Sequence, residues 1–302
     1  MQPGYRHMLL SAVCFAAMAT LVGVVHRLQP ELTTAMTSTI RALVNLILLV
    51  AFAWKNPLRL LGDRRPALWL RGLFGALALL LYFGALARIG VGEAAFLNQT
   101  SAVWVALLAP LLLKERTGRW IWLAIAGAMI GMFLLSVPRL DAPHDVTGRL
   151  MGAVSGLLAA LAYLTVRRAG TTNTPSVIVF YFTLVAAALS GGLMLLEPLV
   201  WPERTSIWLG LVGVGVFATF GQLLMTRAYR EAPVASLSAV SYAGPLLASV
   251  FGMIVLQQSP DEAGWAGMAL ILVCGVALPF LTWKSPEAVS TREPPPPASA
   301  LE

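Results

Sequence analysis

Apolar residues run along this chain in long unbroken stretches separated by short polar gaps. Ten stretches of spanning length fall near residues 8–27, 33–53, 67–88, 91–113, 119–137, 149–167, 175–197, 207–229, 232–256 and 263–283. About 20 apolar residues in a helix cover the roughly 30 Å of bilayer hydrocarbon. Backbone in lipid must satisfy its own hydrogen bonds, so the spans are helices or a closed barrel. Continuous apolar runs without strand-like alternation select helices. The expected fold is therefore an all-α integral membrane protein of ten transmembrane helices. Short gaps also predict that consecutive helices pack as antiparallel neighbours.

Composition agrees. The chain is 58% apolar and only 12% charged, against about half and a quarter for a soluble domain, so much of its outer surface faces lipid. A net charge of +7 would suit nucleic acid, but the charges sit in gaps between apolar runs, as they do in membrane loops. The bilayer, not nucleic acid, is the expected partner. With the N-terminus placed inside, 15 of the 21 Lys and Arg residues fall on inside segments and five outside, with Arg41 inside a span. Arg71 counts among the inside residues. That bias puts both termini in the cytoplasm. The first apolar run continues past Val25 without a clear cleavage site and reads as a retained span. Cys14 and Cys274 lie in apolar runs and act as small hydrophobes. The tail 285–302, with Pro294 to Pro297, reads as disordered and cytoplasmic.

The chain also repeats. Ala85 to Gly92 resembles Ala228 to Ala235, 143 residues later, and the same offset pairs Trp122 with Trp265 and Leu113 with Leu256. An offset of 141 pairs Ala12-Val13 with Ala153-Val154 and Arg27 with Arg168. Residues 1–145 then form one five-helix repeat and 146–284 a second. Five is odd, so the second copy enters the membrane from the opposite side. Inverted repeats of this kind recur in secondary transporters, with the substrate site between the halves.

Arg41-Ala42-Leu43, the Ala85-to-Ala95 segment and Leu111-Leu112-Leu113-Lys114-Glu115 resemble the ten-helix EamA-like exporters of the drug/metabolite transporter superfamily. In the second half, Ala228 to Leu237 and Gly244-Pro245 repeat the plan. Gln257-Gln258 stands where the family's second Gly-Glu is expected, Phe182 where a second Arg would match Arg41, and Ala102 where a Pro often sits. Within the family the chain looks closest to bacterial aromatic amino acid and drug exporters. The resemblance implies an inner-membrane exporter of small metabolites, most of all amino acids.

Polar groups inside a bilayer cost energy unless paired, so each requires a reason. Arg41 lies deep in span 2, suited to a substrate carboxylate or a gate, or to packing on helix-end carbonyls. Asn98, Ser101 and Trp104 in span 4, and Ser241 and Tyr242 in span 9, are candidate contacts. The same groups would serve equally as interhelical glue. Pro245 lacks an N–H and should free the carbonyl of Ser241, making it a candidate hinge. Tyr82, Tyr163 and Gln222 complete the candidate lining. Trp54, Trp69, Trp120, Trp201, Trp208 and Trp283 lie near span ends, as interfacial belts do. Gly127 and Gly131 form a GxxxG, a close-packing pattern that would also serve a homodimer.

No acidic residue lies deep in a span, so no intramembrane proton relay is visible. His7, His26 and His144 are scattered, which predicts no metal. There is no phosphate-binding loop and no clustered acid, base or nucleophile, which predicts no cofactor and no enzyme. Facilitated diffusion or exchange by alternating access is the expected mechanism. Export of cationic drugs or nucleotide-like metabolites, a channel, and a membrane enzyme or assembly protein without flux are the alternatives.

Overall fold

A computed structural model describes residues 3–89, 91–115, 117–136, 145–257 and 260–277. The tail, His144, Trp283, Gln258 and the end of the last span lie outside the described residues. Twelve α-helices are described: α1 Pro3–Leu28, α2 Thr34–Phe52, α3 Pro66–Ile89, α4 Val91–Gln99, α5 Ser101–Leu113, α6 Arg119–Ser136, α7 Val146–Ala169, α8 Pro175–Met194, α9 Thr205–Glu231, α10 Val234–Val240, α11 Ala243–Leu256 and α12 Glu262–Leu270. A 3₁₀ turn (Pro57–Leu61) precedes α3, and a π-helix (Ile271–Ala277) continues α12. Eight spans are long and apolar enough to cross a membrane, α4–α5 and α10–α11 each counting as one. The shorter apolar helices Arg119–Leu135 and Glu262–Cys274 complete ten.

Local chemistry sets the helix ends. Thr33 and Asp261 cap α2 and α12 by accepting from the N–H groups of Met36 and Gly264, and Pro175 opens α8. A capping side chain satisfies one of the four free N–H groups at a helix start.

The repeat is visible in the backbone. Helix α4 starts at Val91 and α10 at Val234; α5 ends at Leu113 and α11 at Leu256; α6 starts at Arg119 and α12 at Glu262. Each pair is separated by 143 residues. Among the described residues, two of the three non-glycine residues with positive φ obey the same offset: Lys114 at 58° and Gln257 at 52° end the paired helices in the left-handed conformation. Glycine adopts that conformation most readily. This explains why the motif that Lys114-Glu115 resembles carries a Gly at that place.

One expectation needs correction. Spans 4 and 9 stand where expected, although neither is one unbroken helix. The first breaks at Thr100 and the second at Ser241-Tyr242. The Thr100 hydroxyl donates to the Leu97 carbonyl at 2.6 Å, and such back-bonding bends helices without a proline. The corrected expectation is that consecutive helices pack as neighbours: they do not make the main contacts. Helix α1 packs on α9 as α7 packs on α3, α2 lies against α8, and α6 against α12. A short loop ties helix ends together but does not choose their faces. Here the halves interleave, and each repeat covers the other.

The Gly127/Gly131 stripe is used within the chain. A Cβ on Gly131 would meet the Gly267 carbonyl at 2.7 Å, and one on Gly267 would meet the Gly131 carbonyl at 2.5 Å. The stripe therefore seats α6 on α12 and gives a homodimer no support. Gly267→Leu is expected to destabilise the protein by about 1–3 kcal/mol through overpacking, read as a lower unfolding temperature in detergent.

Candidate functional site

Helix α2 buries the stripe Ser38, Ala42, Asn45 and Leu49 and exposes Leu43, Ile47 and Val50. These spacings are those of one helix face and its opposite. Arg41 stands at the edge of the buried stripe. It lines a narrow crevice with Ala42 and Asn45 of α2, Phe182, Thr183 and Ala186 of α8, and Ala218 and Gln222 of α9. The free space is about 10 Å³, room for about one water, so the site is closed around its polar groups in this state.

A second arginine enters from α3. Arg71 is only 2% exposed. Its guanidinium donates to Gln222 Oε1 at 3.3 Å and lies 4.5 Å from the centre of the Phe182 ring. Sequence reasoning counted Arg71 as an inside-loop charge, because Arg64 and Arg65 precede it and its span was taken to begin at 67. Removing it leaves 14 inside against five outside, so the bias survives. The available signal was local: Gly75, four residues on, clears space for its guanidinium on the same helix. A Cβ on Gly75 would strike the Arg71 guanidinium and sit 2.9 Å from Phe182. Gly75→Ala is therefore expected to push Arg71 off Gln222 and weaken any ligand bound there tenfold or more, the order of one charged hydrogen bond. Binding by titration calorimetry checks this.

Arg41 and Arg71 thus share two neighbours, Gln222 and Phe182. Phe182, at the place where the repeat would put a second arginine, instead supplies the ring beneath Arg71. No described ion pair includes either guanidinium. Arg71 Nε and Asn45 Oδ1 are buried without a hydrogen-bond partner, as is the Thr226 hydroxyl one turn along α9 from Gln222. Tyr163 of α7 stacks on Tyr229 of α9 at 5.0 Å, and both lie within electrostatic reach of Arg71. Arg41 and Gln222 are therefore brought together in the crevice with Asn45 and Phe182, while Tyr163 and Tyr229 lie toward Arg71; sequence reasoning missed Arg71, Asn45, Phe182 and Tyr229 as members.

The other candidates lie elsewhere. Asn98 donates to Ser155 Oγ at 3.0 Å and serves as glue between α4 and α7. Ser101 is buried at the start of α5. Trp104 is 38% exposed and shares its face with exposed Leu107 and Leu111, so it points outward, not into the crevice. Tyr82 lies eleven residues beyond Arg71 on α3, about 16 Å along the axis, against Phe83. Ser241 bonds to the Ser238 carbonyl. Its own carbonyl accepts from Gly244 N–H at 2.9 Å, so it is not freed by Pro245, which lies in the first turn of α11.

Tyr242 is fully buried, and its hydroxyl donates to the Gln99 carbonyl at 3.2 Å. Gln99 and Tyr242 are related by the repeat offset of 143, so the two broken helices touch at equivalent points, on the axis between the halves. Gly156 of α7 permits close approach to this break. A Cβ there would lie 2.7 Å from the Leu97 carbonyl and 3.1 Å from that of Asn98.

Ion pairs fasten both ends of α7. At its start, Arg149 meets Glu93 at 2.7 Å. At its end, Arg167 Nε meets Glu115 Oε1 at 3.0 Å, while Glu115 Oε2 accepts from Val234 N–H, the first of α10, at 2.9 Å. Arg167 also donates to the Arg230 carbonyl, and Arg230 to the Gly170 carbonyl. His7 and Arg227 converge on Glu231. Glu115 therefore joins α5, α7 and α10 in one knot.

The sequence profile of the EamA-like transporter family matches this chain twice, over residues 2–137 and 146–280. The chain belongs to the EamA-like transporter family. It is 30% identical over 213 residues to the pseudopaline exporter of Pseudomonas aeruginosa, covering 70% of this chain and 74% of that protein. It is 28% identical over 290 residues to an uncharacterized transporter of Helicobacter pylori, covering 92% and 95%. A riboflavin transporter of Vibrio cholerae is 25% identical over 218 residues, covering 72% and 71%. A crystal structure at 22% identity shares the fold, with a TM-score of 0.79 over 94% of this chain and 99% of that one. This family member is thus a multi-span membrane transporter of small molecules, built from two inverted five-helix repeats.

Proposed function

We propose that this EamA-like transporter exports amino acids or similar carboxylate-bearing metabolites across the bacterial inner membrane by alternating access, with both termini in the cytoplasm. The observation that carries the reading is the crevice between α2, α8 and α9, lined by Arg41 and bordered by Arg71 of α3 through Gln222 and Phe182, with neither guanidinium in an ion pair among the described residues. A guanidinium in a bilayer interior costs roughly 2.5–3.5 kcal/mol on insertion scales and marks function by default. A substrate carboxylate would offset that cost through charge-assisted bonds. Aromatic members of the class would lie against Tyr163 and Tyr229. The relatives named for pseudopaline and riboflavin support a family that moves small organic solutes. The fasteners at both ends of α7 suit a carrier that opens one end at a time, and no described feature supplies a motor, so facilitated flux or exchange is proposed.

Nucleotide-like metabolites are the second reading, since their phosphates would satisfy the same two cations. Cationic drugs would face two guanidiniums. The test is uptake and counterflow in proteoliposomes with labelled amino acids, nucleotides and a cationic dye. Saturable, counterflow-stimulated uptake of carboxylate-bearing members, lost in Arg41→Ala, is the expected result. Flux of the dye alone would overturn the substrate class, and no flux of any member would overturn transport of these classes.

A further inference from the structure

The two arginines do more than mark a carboxylate site, because they come without a built-in counter-charge. Arg71 is held by a neutral amide oxygen and an aromatic face, neither of which cancels its charge. Arg41 lines the crevice to which that amide and ring belong. The acidic side chains nearest to helix interiors, Glu93 and Glu115, are taken up by Arg149 and Arg167 at the two ends of α7. Among the described residues, Arg41 lines the crevice, Arg71 bears on its lining residues Gln222 and Phe182, and no acidic side chain lines it. It offers a substrate ammonium only neutral acceptors: Asn45 Oδ1 in the crevice and the Thr226 hydroxyl one turn from Gln222 are buried without a partner, and neither carries a charge. A neutral zwitterion would leave one guanidinium uncompensated.

We propose that the crevice is a site for organic dianions, one acidic group meeting Arg41 and the other Arg71, and that the protein works as an anion exchanger. This rests on the carrier reading above and narrows its substrate class to solutes with two acidic groups, either dicarboxylates or phosphate esters. Exchange follows from the same charge count. The empty carrier would reorient with two bare guanidiniums in its low-dielectric core, whereas the loaded carrier is neutral there. Reorientation is then faster loaded than empty, and flux in one direction depends on an anion returning in the other. Gly75 is a positioning residue in this scheme, since its missing Cβ lets the Arg71 guanidinium lie beside its own helix and over Phe182.

The experiment measures thermal stabilisation of the detergent-solubilised full chain by succinate, glutamate, inorganic phosphate, leucine and putrescine, at fixed ionic strength. Succinate or phosphate is expected to raise the unfolding temperature most, glutamate less, and leucine and putrescine not at all. Whichever of succinate and phosphate acts at lower concentration identifies the acid type. Arg71→Gln and Arg41→Gln should each weaken the effective anion at least tenfold, and Arg71→Lys should recover part of the loss. Because these variants can be shown folded by their own unfolding transitions, a lost response is a binding result. In proteoliposomes, the effective anion inside should speed its own uptake several-fold over empty vesicles. Leucine stabilising as well as succinate and phosphate would overturn the dianion inference and leave the carrier reading standing. Equal responses in wild type and both arginine variants, or no response to any probe, would overturn the site. The proteoliposome panel judges transport separately.

Discussion

Glu115→Ala is expected to destabilise the protein by about 2–3 kcal/mol, the range for losing hydrogen bonds to a charged group. One carboxylate serves both the Arg167 Nε and the first N–H of α10, and both lose that acceptor together, while Arg167 keeps its bond to the Arg230 carbonyl. The side chains are 17% and 25% exposed, so water enters to replace part of the loss, and the cost stays below that of a fully buried pair. Glu115→Gln should cost less, because an amide oxygen still accepts from Val234 N–H. Thermal unfolding in detergent ranks the two. Equal, small losses for both would mean that the knot of α5, α7 and α10 is held by packing instead.

Arg71→Met should move stability and function in opposite directions. Exchanging an uncompensated buried cation for an apolar side chain of similar length is expected to stabilise the unliganded protein by about 1–3 kcal/mol. It should also remove a charged contact of about 2–5 kcal/mol to the bound anion, a loss of roughly thirtyfold or more in affinity. Paired unfolding and counterflow measurements read both effects. A structural role for Arg71 predicts the reverse in unfolding: a lower transition with the conservative Arg71→Lys intermediate.

Much of the fold was legible because membrane helices announce themselves by length and apolarity. The two-repeat plan was legible from sparse identities at an offset of 143, the offset that also relates the ends of paired helices and the left-handed residues Lys114 and Gln257. The breaks were half legible. Pro245 signalled irregularity in span 9, but Thr100 broke span 4 through a hydroxyl-to-carbonyl bond that composition does not reveal. The interleaving of the repeats was hidden, since loop length limits where ends lie and says nothing of which faces meet.

The site was legible only in part for a related reason. Arg41 stood out because it interrupts an apolar run. Arg71 lies close to Arg64 and Arg65 and was absorbed into the loop charge. Only tertiary packing against Gln222 and Phe182 separates it from them. Trp104 misled in the opposite direction. Depth along a helix does not fix facing, and its neighbours at helical spacing, Leu107 and Leu111, show which side it occupies.

The central claim is that the crevice around Arg41, Asn45 and Gln222 is the point to which each side of the membrane gains access in turn. Asn45 is 4% exposed, so a cysteine there is reached only when the protein opens. With Cys14 and Cys274 first replaced by alanine, Asn45→Cys should react slowly with a membrane-impermeant thiol reagent applied to right-side-out or to inside-out vesicles. The reaction should be blocked from both sides by the transported anion. A cysteine that never reacts from either side, in a protein that still carries out counterflow, would contradict the account and place the pathway elsewhere.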